Sequence, residues 1–420
     1  MDAKLIGRIT GNVIVGQSGG PTAVINSSVA GVYRGAKDLG VEKVYGMVHG
    51  IEGFLEGNII DLDQYLDSEE KLELLKRTPS AFLGSCRYKL PKEEGNEALY
   101  QRIFETLEQY HIEVFFYIGG NDSMDTIKML SDYAKEHGKN QRFVGIPKTV
   151  DNDLPITDHC PGYGSAAKYI ATSIKEIIRD IQSTGSETIT VVIAEIMGRH
   201  AGWLTAAAAL AKGPDCAGVD AIYLPEKVFD VEEFVAHVKS VAERKNSVVI
   251  AVSEGVKVAD GRFVCELGGG PDYVDAFGHK QLSGAAQTLA DILGKRTTFK
   301  RRAIEFSTLQ RAASHLSSAT DIDEAFHAGY HGVMIAAEGK TGVMVVLRRL
   351  HDSPYLCDVE DFDVHHVANR EKKIPLEWIT EDGRGLTEDF IQYARPLIMG
   401  EIHPLYVNGI PCHLVRQECI

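Results

Sequence analysis

Two α/β lobes, each a parallel-type sheet covered by helices, are predicted for this chain on three observations. Its 420 residues exceed what one hydrophobic core comfortably serves. Short apolar runs end repeatedly in glycine-rich turns, and segments with amphipathic helical spacing follow those turns. Strands alternating with helices give parallel sheets buried on both faces, with ligands beyond the carboxyl ends of the strands.

The first unit shows the pattern. Val13, Ile14 and Val15 lead into the turn 16–20, and a helix is predicted with Pro21 near its first position and Gly40 past its end. Ile25, Val29, Val32, Ala36 and Leu39 recur at spacings of 4, 3, 4 and 3, which makes one apolar face. The unit repeats at 114–118, followed by Gly119-Gly120-Asn121-Asp122-Ser123. There Met124, Ile127, Leu130 and Ala134 face the core and Gly138 closes the helix. Further buried strands are predicted at 142–146, 190–196 and 247–252. From about 351 to 420 the chain turns acidic and loop-like and reads as a C-terminal extension.

Composition narrows the function. With 44% hydrophobic and 25% charged residues the chain is an ordinary globular protein. A net charge of −15 argues against nucleic-acid and anionic-membrane partners, which need basic surface. No apolar run approaches the roughly 18 residues that span a bilayer, and the first residues lack a signal-peptide core, so a cytoplasmic location is expected. Cys86, Cys160, Cys216, Cys265, Cys357, Cys412 and Cys419 form no CxxC pair and are expected as free thiols, without a structural zinc. Lys295-Arg296 and Lys300-Arg301-Arg302 form one basic run, which by itself reads as a solvated surface loop.

Several turns could carry chemistry. Gly16-Gln17-Ser18-Gly19-Gly20 lets backbone N–H groups approach a phosphate, although a purely structural tight turn fits equally. In Gly119–Ser123 polar side chains stand at a strand end, where Asp122 or Ser123 could simply cap a helix. Pro147-Lys148-Thr149-Val150-Asp151-Asn152-Asp153 is the most informative segment. If that loop is extended, alternate residues face one way, so Asp151 and Asp153 share a site. One carboxylate then accepts a hydroxyl proton while the other helps hold a divalent metal. Met197-Gly198-Arg199-His200, Ser253-Glu254-Gly255, and the pair Arg302 and Arg311 suit phosphate or sugar recognition, with surface ion pairs as the plain alternative. The histidines show no metal-binding spacing.

Taken in order, GQSGGPT, LGSCRYKL, GGNDS, PKTVDND, MGR, SEG and LQR resemble the phosphofructokinase family to about residue 350. The resemblance implies two Rossmann-like lobes with the active site in the cleft between them. Residues 1–160 would bind the phosphoryl donor, joined by about 311–350, and residues 161–310 would bind fructose 6-phosphate. It implies Asp151 as the base at the sugar C1 hydroxyl, with Thr149 beside it and Asp153 near Mg²⁺. Gly20 would lie in the donor-phosphate loop and Arg87 would reach the donor phosphates. Met197, Gly198, Arg199 and Glu254 match sugar-binding positions and Arg311 matches a 6-phosphate ligand. Arg302 matches an arginine supplied by a neighbouring subunit, which implies a homodimer or homotetramer.

Two positions bear on the donor. ATP-using members resemble GGDGS and PGTIDND, whereas this chain has Asp122 and Lys148 at the two variable positions, as in the pyrophosphate-dependent branch. A carboxylate at Asp122 would repel the α-phosphate of ATP, and Lys148 would supply charge to pyrophosphate. The expected substrates are therefore pyrophosphate and fructose 6-phosphate. An ATP-dependent enzyme and a non-catalytic sugar-phosphate sensor are the alternatives. Three positions depart from the family pattern: Asn121 replaces a metal-side aspartate, Thr190 a subunit-bridging arginine, and Thr308 a histidine or tyrosine.

Overall fold

The computed structural model describes residues 8–184, 187–268, 284–367 and 370–416. Cys419 and residues 1–7 lie outside them; the six described cysteines are all free thiols. Strands β1 (Asn12–Gln17), β2 (Val44–Met47), β3 (Ile59–Asp61), β4 (Ile112–Gly119) and β5 (Arg142–Pro147) come first. Then follow β6 (Thr190–Ile196), β7 (Ala221–Tyr223), β8 (Ser247–Ser253) and β9 (Lys300–Glu305), and finally β10 (Val343–Asp352) and β11 (Tyr355–Asp363).

They build a seven-stranded sheet in the order β11-β10-β5-β4-β1-β2-β3 and a four-stranded sheet in the order β7-β8-β6-β9. The small sheet is parallel throughout. In the large one only the β10–β11 and β2–β3 edge pairs run antiparallel. Central strands covered on both faces need apolar residues at every position, and Val13–Val15 and 114–118 are fully buried accordingly. The two predicted helical faces, Ile25 to Ala36 and Met124 to Ala134, are also buried.

Three expectations change. The first helix starts at Ile25, not at Pro21; the preceding turn stays non-helical, with φ +75° at Gly19 and the Gly20 carbonyl accepting from the buried Lys148 Nζ. The basic run is no loop: Lys300, Arg301 and Arg302 open edge strand β9, where outward charges discourage sheet-to-sheet pairing. Position 351 falls inside β10, so the hairpin 343–363 completes the first sheet. Farther on, Phe390, Tyr393 and Ala394 of the helix Glu388–Ala394 pack into the second sheet's core with Trp203. No described helix is long and apolar enough to cross a membrane.

After β5, the buried His159 ring lies between Asp158 (Nδ1 to Oδ2, 2.8 Å) and Glu324 (Nε2 to Oε2, 2.6 Å) of the helix Ala319–Ala337. Burial opposes a charged ring, but the two carboxylates outweigh it and push its pKa up to about 9. A raised histidine stabilises the fold fully below its unfolded pKa of about 6.5, and that contribution fades as pH rises through the folded value. Urea unfolding should therefore show His159→Asn closing on wild type between about pH 6.5 and pH 9. The wild-type loss over that window should be of order 3 kcal/mol.

Candidate active site

Strand register assembles the site. Gln17 pairs with Ile118, and Gly119 with Pro147, so the turns after β1, β4 and β5 emerge side by side. In the second sheet Ile196 pairs with Ser253 and Glu195 with Glu305, which aligns the turns after β6, β8 and β9. Buried amides hold the glycine turn in place. Gln17 Oε1 accepts from the Leu83 N–H, Asn26 Oδ1 accepts from the Phe82 N–H, and the Gly19 N–H donates to Cys86 carbonyl. That brings the segment preceding Arg87 against the turn.

Lys148 is buried beneath this turn, its Nζ donating to the Gly20 carbonyl at 2.7 Å. Gly19 has φ +75°, and a Cβ there would stand 3.3 Å from Lys148 Nζ; a Cβ on Gly20 would stand 3.1 Å from Arg311 Nη1. Glycine is what permits both cations to approach the backbone. Burial lowers the Lys148 pKa to about 8; Asp151 opposes that drop, while Arg311 and Arg87 reinforce it. Burial likewise raises Asp151, against the pull of Lys148, Arg311, Arg199 and Arg87. Burial and then Asp151 push Asp153 up to about 7. Opposite charges thus share one partly buried volume around the buried Lys148, and an anionic ligand with a divalent cation would complete its balance.

The loop that carries the two carboxylates is not extended. Asn152 adopts φ +54°, a left-handed turn between them, so strict alternation of side chains does not apply. Asp151 and Asp153 still act strongly on one another. Asn121 is the first residue of the helix Asn121–Glu136, and Gly120 occupies the cap position, so neither Asp122 nor Ser123 caps it. Asn121 Nδ2 donates to the Arg370 carbonyl at 2.8 Å, and its Oδ1 is buried without a hydrogen-bond partner. An orphaned amide oxygen and the half-buried Asp153 carboxylate are hard donors of the kind Mg²⁺ takes. The residues fit that ion. Asp122 stands partly exposed on the first helical turn, and the carboxylates acting most on Lys148 are Asp151 and Asp153.

On the opposite side Gly198 has φ +143°, and a Cβ there would meet the Ala201 carbonyl at 2.7 Å. Its carbonyl accepts from Ser253 Oγ at 2.5 Å, and its N–H points to Glu254 Oε1 at 3.4 Å. Burial and Asp151 raise Glu254 to about 8. Gln310, which sequence reasoning did not single out, accepts the Met197 N–H at 3.3 Å beside Arg311. Thr149 Oγ1 accepts the Asp151 N–H at 3.1 Å. Lys148, Asp151, Asp153, Arg87, Arg199, Glu254 and Arg311 therefore form one electrostatic cluster across both sheets. Arg302 stands apart, exposed on β9 and paired with Asp180 at 3.3 Å. Thr190 is buried at the start of β6, and Thr308 precedes the short helix Leu309–Ala312.

Sequence reasoning also missed Lys372 and Tyr393. The Lys372 N–H donates to the Asp153 carbonyl at 2.6 Å, and the Tyr393 hydroxyl accepts from Asn152 Nδ2 at 2.8 Å. No local signal marks either, since Tyr393 lies 241 positions from its partner.

The sequence and the fold have known counterparts. The chain is 43% identical over 402 residues to a pyrophosphate–fructose 6-phosphate 1-phosphotransferase of Methylococcus capsulatus, covering 95% of this chain and 94% of that one. It is 42% identical over the same shares to the protein of that name from Halomonas elongata. A crystal structure of a pyrophosphate-dependent phosphofructokinase from Nitrosospira multiformis superposes with a TM-score of 0.86 at 38% identity, covering 96% of this chain and 95% of that one. Residues 12–335 match the family described as phosphofructokinase, a span that takes in every turn of the charged cluster. The chain belongs to the phosphofructokinase family.

Proposed function

We propose that this protein transfers a phosphoryl group between pyrophosphate and the C1 hydroxyl of fructose 6-phosphate, giving fructose 1,6-bisphosphate reversibly in glycolysis or gluconeogenesis. The observation that carries the donor choice is Lys148. Its ammonium is bonded to the Gly20 carbonyl of the glycine turn, where a compact anionic donor would be neutralised. Relatives at 42–43% identity carry this activity in their names. Phosphoryl transfer needs alignment and charge neutralisation more than covalent chemistry. In this reading residues 1–160 hold the donor and residues 161–310 the sugar.

Asp151, oriented by its N–H bond to Thr149 Oγ1, accepts the C1 hydroxyl proton. Gly20 and Arg87 hold the donor phosphates, while Met197, Gly198, Arg199 and Glu254 hold the sugar. Arg311, against Gly20 and close to Asp151, bears on the transfer centre as well as on the 6-phosphate. Asp153 and Asn121 Oδ1 would hold Mg²⁺, which when bound neutralises and orients the donor phosphates. The deciding assay supplies Mg²⁺ and fructose 6-phosphate with either pyrophosphate or ATP. Turnover with ATP but not with pyrophosphate would sink this reading, as would none with either. A cytoplasmic location goes with the same reading.

Arg302 lies outside its own chain's cluster, which supports its serving a neighbouring subunit's site in a homodimer or homotetramer. Arg302→Ala should then raise the KM for fructose 6-phosphate tenfold or more, the loss of a charge-assisted contact of about 1.5–3 kcal/mol. If subunits exchange, mixing it with Asp151→Asn should restore part of the activity through hybrid sites. A fully active monomer in sedimentation would exclude this role.

A further inference from the structure

We propose that the C-terminal segment positions the Asp151–Asp153 pair, with Tyr393 acting through Asn152 and Lys372 acting through the far side of the same loop. The inference rests on the catalytic reading of Asp151 given above. The loop between β5 and the helix Tyr163–Ser183 is conformationally costly: Asn152 has φ +54° and the β-branched Ile156 has φ +74°. Such conformations persist only where the surroundings over-determine them.

The fixings come largely from the C-terminal segment. Asn152 is fully buried; its Oδ1 accepts from the Cys160 N–H at 2.9 Å, and its Nδ2 donates to the Tyr393 hydroxyl. That hydroxyl in turn donates a hydrogen bond to the Asp158 carbonyl at 2.8 Å, so one oxygen joins the turn at 152 to the loop's later half. The Arg349 guanidinium supports it from behind, lying 4.7 Å from the Tyr393 ring centre and bonding both Asp158 Oδ2 and the Tyr393 carbonyl.

Lys372 grips the loop at two points. Its N–H donates to the Asp153 carbonyl, and its Nζ donates to the carbonyls of Thr157 (3.2 Å) and Asp158 (2.7 Å). Two residues earlier the Arg370 carbonyl holds the Asn121 amide, so one short stretch connects both residues assigned to the metal. None of these groups needs to touch substrate. They are positioning residues, and their loss should appear in kcat, because a base displaced by about 1 Å loses its in-line geometry.

The test is a double-mutant cycle of Tyr393→Phe and Asn152→Gly, a glycine that accepts the left-handed turn but drops the amide. Wild type is first assayed with pyrophosphate, fructose 6-phosphate and Mg²⁺; inactivity there would sink the functional reading itself. Given an active wild type, each single variant should lose about 10- to 100-fold in kcat, with both KM values within about twofold. The double variant should be no worse than the poorer single. Should Tyr393→Phe fail to accumulate folded, Lys372→Met carries the same kcat-against-KM test. Retained kcat, losses that multiply in the double variant, or lower melting temperature with unchanged turnover per folded molecule would each overturn the proposal.

Discussion

Asp151→Asn is expected to lower kcat by roughly 10²- to 10⁴-fold while the KM for fructose 6-phosphate changes far less. The substitution keeps the shape and removes the carboxylate proposed to accept the proton. It also removes the charge that does most to keep Lys148 protonated against burial, among the arginines Arg311 and Arg87. The Lys148 pKa, about 8 in the native chain, should fall further in the variant. The residual activity should therefore decline at lower pH, on the alkaline side, than wild-type activity does. Initial rates across pH read both effects. A variant retaining more than about a tenth of wild-type kcat would remove Asp151 from the base role.

Lys148→Gly should reduce pyrophosphate-dependent kcat by roughly 10²-fold or more, because it deletes a buried positive charge at the Gly20 carbonyl. Asp122→Gly acts in the other direction. It removes a carboxylate from the first turn of the helix Asn121–Glu136, which on the proposed reading faces the path of a longer donor. ATP-dependent turnover should appear or rise, and pyrophosphate turnover should weaken. The double variant should show the largest shift of kcat/KM toward ATP. Inertness of both Asp122→Gly and the double variant toward ATP would mean that Asp122 is not sufficient to exclude it.

Much of this was legible in the residues themselves. Strands at 142–146, 190–196 and 247–252 were marked by apolar runs that only fully covered sheets can bury, and the structure places strands there. Gly40 (φ +75°) and Gly138 (φ +62°) sit past the ends of their helices, where a left-handed residue stops the chain. The carboxylate pair and Lys148 could be read from seven consecutive residues, because a polar cluster directly after a buried strand has few structural uses.

Other features depend on contacts between distant parts of the chain. The turn at Asn152, the edge role of β9, and the packing of 370–394 behind the loop after β5 leave no periodicity to detect. A hydrogen bond such as that from Asn152 to Tyr393 joins residues 241 positions apart, and only the folded chain brings its two ends together. Local sequence therefore marked the central strands, the glycine-rich turns that follow them, and the polar groups those turns carry. Tertiary structure decided which charges gather around the buried Lys148 and what holds the loop of Asp151 and Asp153 in place, since burial and distance set both.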